Sequence, residues 1–523
     1  MLKKLHCKYI LALALCAAGL LPATASAKKL TLLYVPLDNR PVCVDYVKET
    51  MEAVDCKIIL PPEKFIAAND RNGNPEGIWE WLETKAPKAD AAVISTDSLL
   101  YGGLVASRTH HITKEQLDRR LQRLYELKAS LPIKLYAFST VMRTPRASQG
   151  RVEPPYYAKI GPSIFAYSQL LDKEEQNKLT PAERLKKQAL ECNLPQAELA
   201  DWLTRREKNL QVNQELTHMA RSGKFHYLAI GKDDNAPLSS THMEARQLHL
   251  ATFDMAPQSF QILDGVDQLG LLLLVRAYNE ALAKQPSIFS LYSPGAGAAT
   301  LPQYSDARLQ DSVPQQIIAA GAVQTNSAQT ADLILALNTP PDGIVKDSTA
   351  DDNQFFASIA NKNFSQTLEQ HLADGRQVSL ADISYSNGAD NGFMNILARS
   401  QYISKLAAYN GWNTADNAVG YAIAQGLLAS SMNDSDRKLL LRQRLIDDWY
   451  YQSNARRKIS SELEKHNRED MKYDLGTAAK PILQYITHEC ESLAAQYDIT
   501  KSSQFKLSFP WSRLFEIDVK MKK

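Results

Sequence analysis

From Leu30 to about residue 285, unbroken apolar runs alternate with stretches of helical spacing. "LTLLYVPLD", "CKIILPP", "ADAAVISTD", "IKLYAFST", "FHYLAIGKDD" and "SFQILDG" read as strands. "VDYVKETMEAV", "PEGIWEWLETKA", "KEQLDRRLQRLYELKAS", "HMEARQLHLATF" and "LGLLLLVRAYNEALAKQ" read as helices. A strand that is apolar throughout is buried on both faces, so this order demands a parallel sheet covered by helices on each side.

A second series begins near Pro286, after which "IFSLYS", "ADLILALNTP", "QVSLADIS" and "KLAAYNGW" read as strands between helical stretches. The expected fold is α/β, with two packed α/β units of mostly parallel sheets over 28–285 and 286–430. A helical insertion is expected at about 155–222. A helical region follows over 431–523, ending in a last strand or docking segment. An elaborated α/β barrel is the alternative, because the series of strands can be cut either way. A length of 523 residues agrees with more than one domain.

The N-terminus carries an address. "MLKKLHCKYI" is basic, "LALALCAAGLLP" is a short apolar stretch and "ATASA" ends in a small-x-small site. Residues 1–27 therefore read as a signal peptide cleaved after Ala27. The apolar stretch is too short to span a bilayer comfortably, and Leu15 before Cys16 fits a lipoprotein site poorly. The expectation is an exported protein, periplasmic or extracellular, with no stable membrane anchor after cleavage. Export permits disulfides, which leaves Cys43 and Cys56 as a pair to consider, or as buried free thiols with Cys192 and Cys490. A balance of 60 basic against 58 acidic residues offers no basic footprint for nucleic acid.

Chemistry in parallel α/β folds gathers where the carboxyl ends of strands open into loops. Those positions here hold Asp38, Asn39 and Arg40; Asp97, Ser98, Tyr101, Ser107 and Arg108; Arg143 and Arg146; Lys232, Asp233 and Asp234; Asp264 and Asp267. The second series adds Asn338, Asp382, Asn387, Asp390, Asn391, Asn410, Trp412, Asn413 and Asn417. Singly, an Asp after a strand is a helix cap more often than a catalyst. Their number at one edge, with an aromatic, argues for a ligand site.

Phosphate-cradling glycine motifs and a "GxSxG" elbow are missing, so no cofactor is expected and a serine hydrolase is disfavoured. His110, His111, His242 and His249 lack zinc spacing, and no metal ligand is assigned, although Asp38, Asp97 and Asp233 would offer oxygen donors to a hard cation. Carbohydrate suits Asp, Asn and Arg beside the face of Trp412. Neighbouring carboxylates push their proton affinities apart. Adjacent ones fit a substrate-assisted route, in which one Asp orients an N-acetyl nucleophile and the next protonates the leaving oxygen. The "DD" of O-GlcNAcase-type hexosaminidases is similar.

The combination "VPLDNRPV", "STDSLLYGGLVASR", "GKDDNAP" and "YNGWNTADNAVGYAIA" resembles the bacterial domain-of-unknown-function 4127 family, from about Leu30 to beyond Gly420. The resemblance implies that Asp38, Arg40, Asp97, Tyr101, Arg108, Asp233, Asp234, Asn410, Trp412 and Asn413 belong to family motifs. It transfers no catalytic role. In "GVDQLG" Gln268 stands where an acidic residue is expected.

The expected function is an exported glycosidase-like hydrolase of an amino sugar or cell-wall-derived glycan. Asp234 would be its general acid and Asp233 the orienting partner. Asp38, Arg40, Asp97, Tyr101, Arg108, Arg143, Lys232, Asp382, Asn410, Trp412 and Asn413 would bind the substrate. A non-catalytic binder of sugars or peptidoglycan fragments and a metal-dependent hydrolase are the alternatives.

Overall fold

Strand β1 (Thr31–Val35) turns Leu32 and Tyr34 to one face and Leu33 and Val35 to the other, and all four are buried. Alternation along a strand covered on both sides requires this. The computed structural model describes residues 29–522 apart from 131, 132, 149, 498 and 500–503. The signal peptide expected over residues 1–27 lies outside the described residues.

β1 is joined by β2 (Lys57–Ile59), β3 (Ala91–Ser95), β4 (Lys134–Val141), β5 (Tyr227–Lys232) and β6 (Phe260–Asp264) in a parallel sheet of order β2-β1-β3-β4-β5-β6. The chain continues through β7 (Ser287–Tyr292), β8 (Val323–Gln324), β9 (Leu333–Asn338), β10 (Lys346–Asp347), β11 (Val378–Asp382), β12 (Tyr385–Ser386) and β13 (Ala408–Asn410). Of these, β13-β11-β9-β7-β8 form a second parallel sheet, and β10 pairs with β12. In both sheets the chain steps outward once and then reverses, so the switch points lie between β1 and β3 and between β7 and β9. The barrel alternative is corrected here. Each sheet is open, with β2 and β6 as unjoined edges of the first, because each reversal sends later strands away from the starting edge.

The two sheets share a helical layer. Helices Leu269–Ala281, Leu309–Ala319 and Ala415–Leu428 lie between them in one continuous core that includes Leu32, Tyr34 and Val93 from the first sheet and Leu333, Leu335 and Leu337 from the second. The run Leu269–Val275 is buried at every position, as expected of a helix apolar all round. Helices Pro75–Lys85, Lys114–Ser130 and Gln196–Arg221 cover the far face of the first sheet. Ile359–Ala373, Asn391–Arg399 and Ala479–Gln496 cover that of the second.

The stretch at 155–222 folds as three helices, Tyr157–Glu175, Pro181–Asn193 and Gln196–Arg221, with a small core of its own around Tyr157, Ile164 and Trp202. The C-terminal region is helical and includes a fully buried π-helical stretch, Leu445–Ala455. It ends in an antiparallel hairpin of β14 (Phe505–Ser508) and β15 (Asp518–Met521). Cys43, Cys56 and Cys490 are buried and Cys192 is exposed, and among the described residues all four are free thiols. The Cys43 thiol lies 3.8 Å from Arg40 Nη2 instead. Among the described residues no helix is long and apolar enough to cross a membrane.

Candidate functional site

Every strand of the first sheet except β2 delivers residues to one cavity of about 370 Å³. Asp38 and Arg40 follow β1, Arg108 comes from helix Leu104–Thr109 beyond β3, Arg143 follows β4, Asp233 and Asp234 follow β5, and Asp267 follows β6. The second sheet contributes Tyr304 beyond β7 and Asn413 and Asn417 beyond β13, and the β10–β12 pair contributes Asn387. The carboxyl edges of the two sheets therefore face one space, within the roughly 300–1,000 Å³ of small-molecule sites.

Its walls are built from ion pairs. Arg40 Nε stands 3.0 Å from both Asp38 oxygens, while Nη1 reaches Asp267 Oδ2 at 3.3 Å. Arg108 Nε donates to Asp233 Oδ2 at 2.9 Å. Arg143 donates to Glu153 Oε1 at 2.6 Å and also to Asp234. Asn413 Nδ2 donates to Asp267 Oδ2 at 3.2 Å and so ties the second sheet to the first. Burial raises the Asp233 carboxyl above the usual range, with Arg108 opposing and Asp234 reinforcing the shift. Burial likewise raises Asp267 against the pull of Arg40. The Asp234 side chain keeps 24% of its exposure and that of Asp233 only 5%, so a ligand reaches Asp234 first.

Backbone strain gathers here too. Asp234 (φ 31°), Tyr304 (φ 65°), Asn387 (φ 60°) and Asn413 (φ 64°) all adopt the left-handed conformation and all line the cavity. Asn and Asp tolerate that region, whereas a tyrosine there is a true outlier. Asn235 N donates to Tyr304 O at 2.9 Å, and Asn387 N donates to Asn413 O at 2.7 Å. The π-helical stretch fixes the two asparagine loops, because Gly411 N donates to Asp448 Oδ2 at 2.7 Å and Ala389 N to Ser453 Oγ at 2.6 Å. Strain held by surrounding structure concentrates at working sites, as do π-helical turns. Asn417, 3% exposed, presents an Oδ1 that accepts no hydrogen bond from the described residues.

This is a sheet-edge site assembled across the whole chain, and it coincides with a match to a single family model over residues 32–520, described as a protein of unknown function (DUF4127). The chain belongs to the DUF4127 family. No curated protein and no solved structure matches it.

Of the thirteen residues of this DUF4127 protein expected to be catalytic or substrate-binding, seven meet in the cavity: Asp38, Arg40, Arg108, Arg143, Asp233, Asp234 and Asn413. Six do not line it. Trp412, 3% exposed, packs its ring 6.1 Å from Phe515. Asn410 accepts from the Tyr46 hydroxyl at 3.3 Å. Asp382 accepts from Asn338 Nδ2 at 2.8 Å and from Asp390 N at 2.9 Å. Lys232 pairs with Asp264 at 2.9 Å and with Asp306, because the last residue of β5 points away from the side that Asp233 takes. Tyr101 stacks on His110 at 4.8 Å. Asp97 follows β3 straight into helix Thr96–Leu100, whose cap is Ser95, and is turned inward.

The aromatic wall comes instead from the tail. The link between β14 and β15 brings Trp511, Arg513 and Phe515 to the cavity, and Tyr473 joins them. Arg40 lies over the Trp511 ring at 5.5 Å, and Trp511 Nε1 donates to Asn39 Oδ1 at 2.7 Å. The cluster "FPWSRLFE" between two strand patterns was the available signal. Among the described residues, no group of three or more His, Cys, Asp or Glu side chains could hold a metal ion.

Asp97, outside the cavity, gives the fold a pH dependence. Its Oδ1 accepts from the Thr140 hydroxyl at 2.8 Å, its Oδ2 is buried without a partner, and burial pushes its carboxyl up to about 7. The unfolded chain loses this proton near the ordinary carboxylate value, so unfolding releases a proton between about pH 4 and pH 7. Stability then declines as pH rises through that window, by an amount on the order of a few kcal/mol. In Asp97→Asn this contribution is absent. Urea unfolding of the variant is expected to show a flatter stability profile from pH 4 to 7 than the parent, and an unchanged slope would remove the assignment.

Proposed function

We propose that the cavity binds an amino sugar or a cell-wall-derived glycan and that the protein hydrolyses its glycosidic bond after export. The observation that supports this reading is the convergence of carboxylates, amides and an indole on one small-molecule-sized space at two sheet edges. Asp233, the inner carboxylate held by Arg108, orients the N-acetyl group, whose oxygen attacks C1. The C1–O bond breaks, and Asp234 passes its proton to the leaving oxygen. Water, deprotonated by Asp234, then opens the cyclic intermediate and restores the acid. Asp38, Arg40, Arg143 and Asn413 hold the sugar hydroxyls, and Trp511 offers the flat face first expected of Trp412. Export rests on residues 1–27 alone.

Release of nitrophenol from 4-nitrophenyl N-acetyl-α- and β-hexosaminides by the purified protein tests the reading. Failure of every such substrate, with N-acetylglucosamine bound and recovered unaltered, would replace it by the second reading, a binding protein. One observation favours that second reading: each cavity carboxylate is already engaged by a guanidinium, Asp38 and Asp267 by Arg40, Asp233 by Arg108 and Asp234 by Arg143.

Asn417 separates ligand binding from stability. A buried acceptor without a partner costs about 1–3 kcal/mol, and Asn417 is among the residues that line the ligand space. Asn417→Leu is expected to leave unfolding stability equal or higher while raising KM or Kd for the sugar roughly tenfold, the worth of one hydrogen bond. A variant that loses stability and keeps its affinity would show that Asn417 serves only the fold.

A further inference from the structure

A second cavity, of about 710 Å³, adjoins the first. Both are lined by Val105 and Ser148. Their common wall is electrostatically continuous. Glu153 lines the second cavity, accepts from Arg143 Nε at 2.6 Å and lies 3.6 Å from Arg108 Nη1, and both of those arginines line the first. Asn69 lines the second cavity and donates through Nδ2 to Trp511 O at 2.8 Å, which fixes the indole of the first.

The second lining sets the neutral hydrogen-bonding side chains of Asn69, Asn72, Thr109 and Ser148 beside the apolar Pro154 and Pro155. Its Arg71 is opposed by Asp70 at 3.5 Å. Such a surface suits hydroxyl and amide groups, and its prolines offer apolar patches to the carbon faces of a pyranose.

We propose that the two cavities form one cleft and that the substrate is a linear oligosaccharide, with the reacting residue in the first cavity and the following residues laid past Ser148 into the second. This rests on the sugar reading above, and it gives that reading a substrate class. A monosaccharide glycoside would fill only the first and smaller cavity, whereas a chain would also contact the loop that positions Trp511.

The test compares N-acetylglucosamine with its β-1,4-linked tetramer, by calorimetric titration of the full-length mature protein and of Ala158→Trp. Ala158 is an exposed residue of helix Tyr157–Glu175 that lines the second cavity, so an indole there fills that space and leaves the first untouched. The tetramer is expected to bind the parent at least roughly tenfold more tightly than the monosaccharide. In Ala158→Trp that advantage disappears and monosaccharide affinity stays within about twofold. Equal affinity of both sugars for the parent, or a tetramer advantage that survives the substitution, would overturn the extended cleft while the sugar reading stood. Binding of neither sugar would remove both. The comparison in the parent decides by itself if the variant does not fold.

Discussion

Asp234→Asn is expected to lower turnover of aryl amino-sugar glycosides by roughly 10²- to 10⁴-fold, the range supplied by a positioned general acid. The fold should survive. Asp234 sits at φ 31°, and asparagine enters that left-handed region as readily as aspartate. Its side chain is partly exposed, and its cation partner Arg143 retains Glu153 at 2.6 Å. The amide preserves shape and one acceptor while removing the transferable proton, so kcat falls and KM changes little. Asp233→Asn is the contrasting variant. It takes the closest carboxylate from the buried Arg108, so its loss of activity comes with a loss of stability. Unchanged turnover by a folded Asp234→Asn protein would dismiss the general-acid role.

Arg40→Met is expected to cost about 3–5 kcal/mol of stability, because it strands two buried carboxylates that shared one guanidinium. Asp38, Arg40 and Asp267 are all nearly inaccessible to water. The arginine also faces Trp511, so the indole wall should loosen with it. The deficit has a definite pH sign. Without the cation, burial and mutual repulsion disfavour the two charged carboxylates, and protonation relieves the strain as pH falls. Urea midpoints of parent and variant should therefore converge toward pH 4 and separate toward pH 8. Asp38→Asn and Asp267→Asn added to Arg40→Met should recover most of the loss, since a neutral trio leaves no buried charge unmatched. A single variant as stable as the parent at pH 8 would show that the trio is solvated.

The strand-end carboxylates illustrate how far sequence reading reaches. "GKDDNAP" places three charged residues at the end of an apolar strand, and alternation sends successive side chains to opposite sides. Lys232 accordingly joins Asp264 and Asp306, while Asp233 turns to Arg108. Which of the two sides opens onto the cavity is not a local property. Asp97 looked equivalent, but its strand passes directly into a helix, and an inward carboxyl results. Trp412 had the right neighbours in sequence and lost its exposure to Phe515, a residue about a hundred positions later that arrives with the terminal hairpin.

Unbroken apolar strands and the helices between them determined an α/β chain with parallel sheets, because burial on both faces writes itself into every position of a strand. The same reading placed polar groups at the strands' carboxyl ends. Only the tertiary structure decided that two open sheets share one helical layer, that their edges face each other, and that Trp511 and Asn417 complete the site. Those outcomes depend on packing between segments hundreds of residues apart, and no short stretch of chain carries the record of its distant partner.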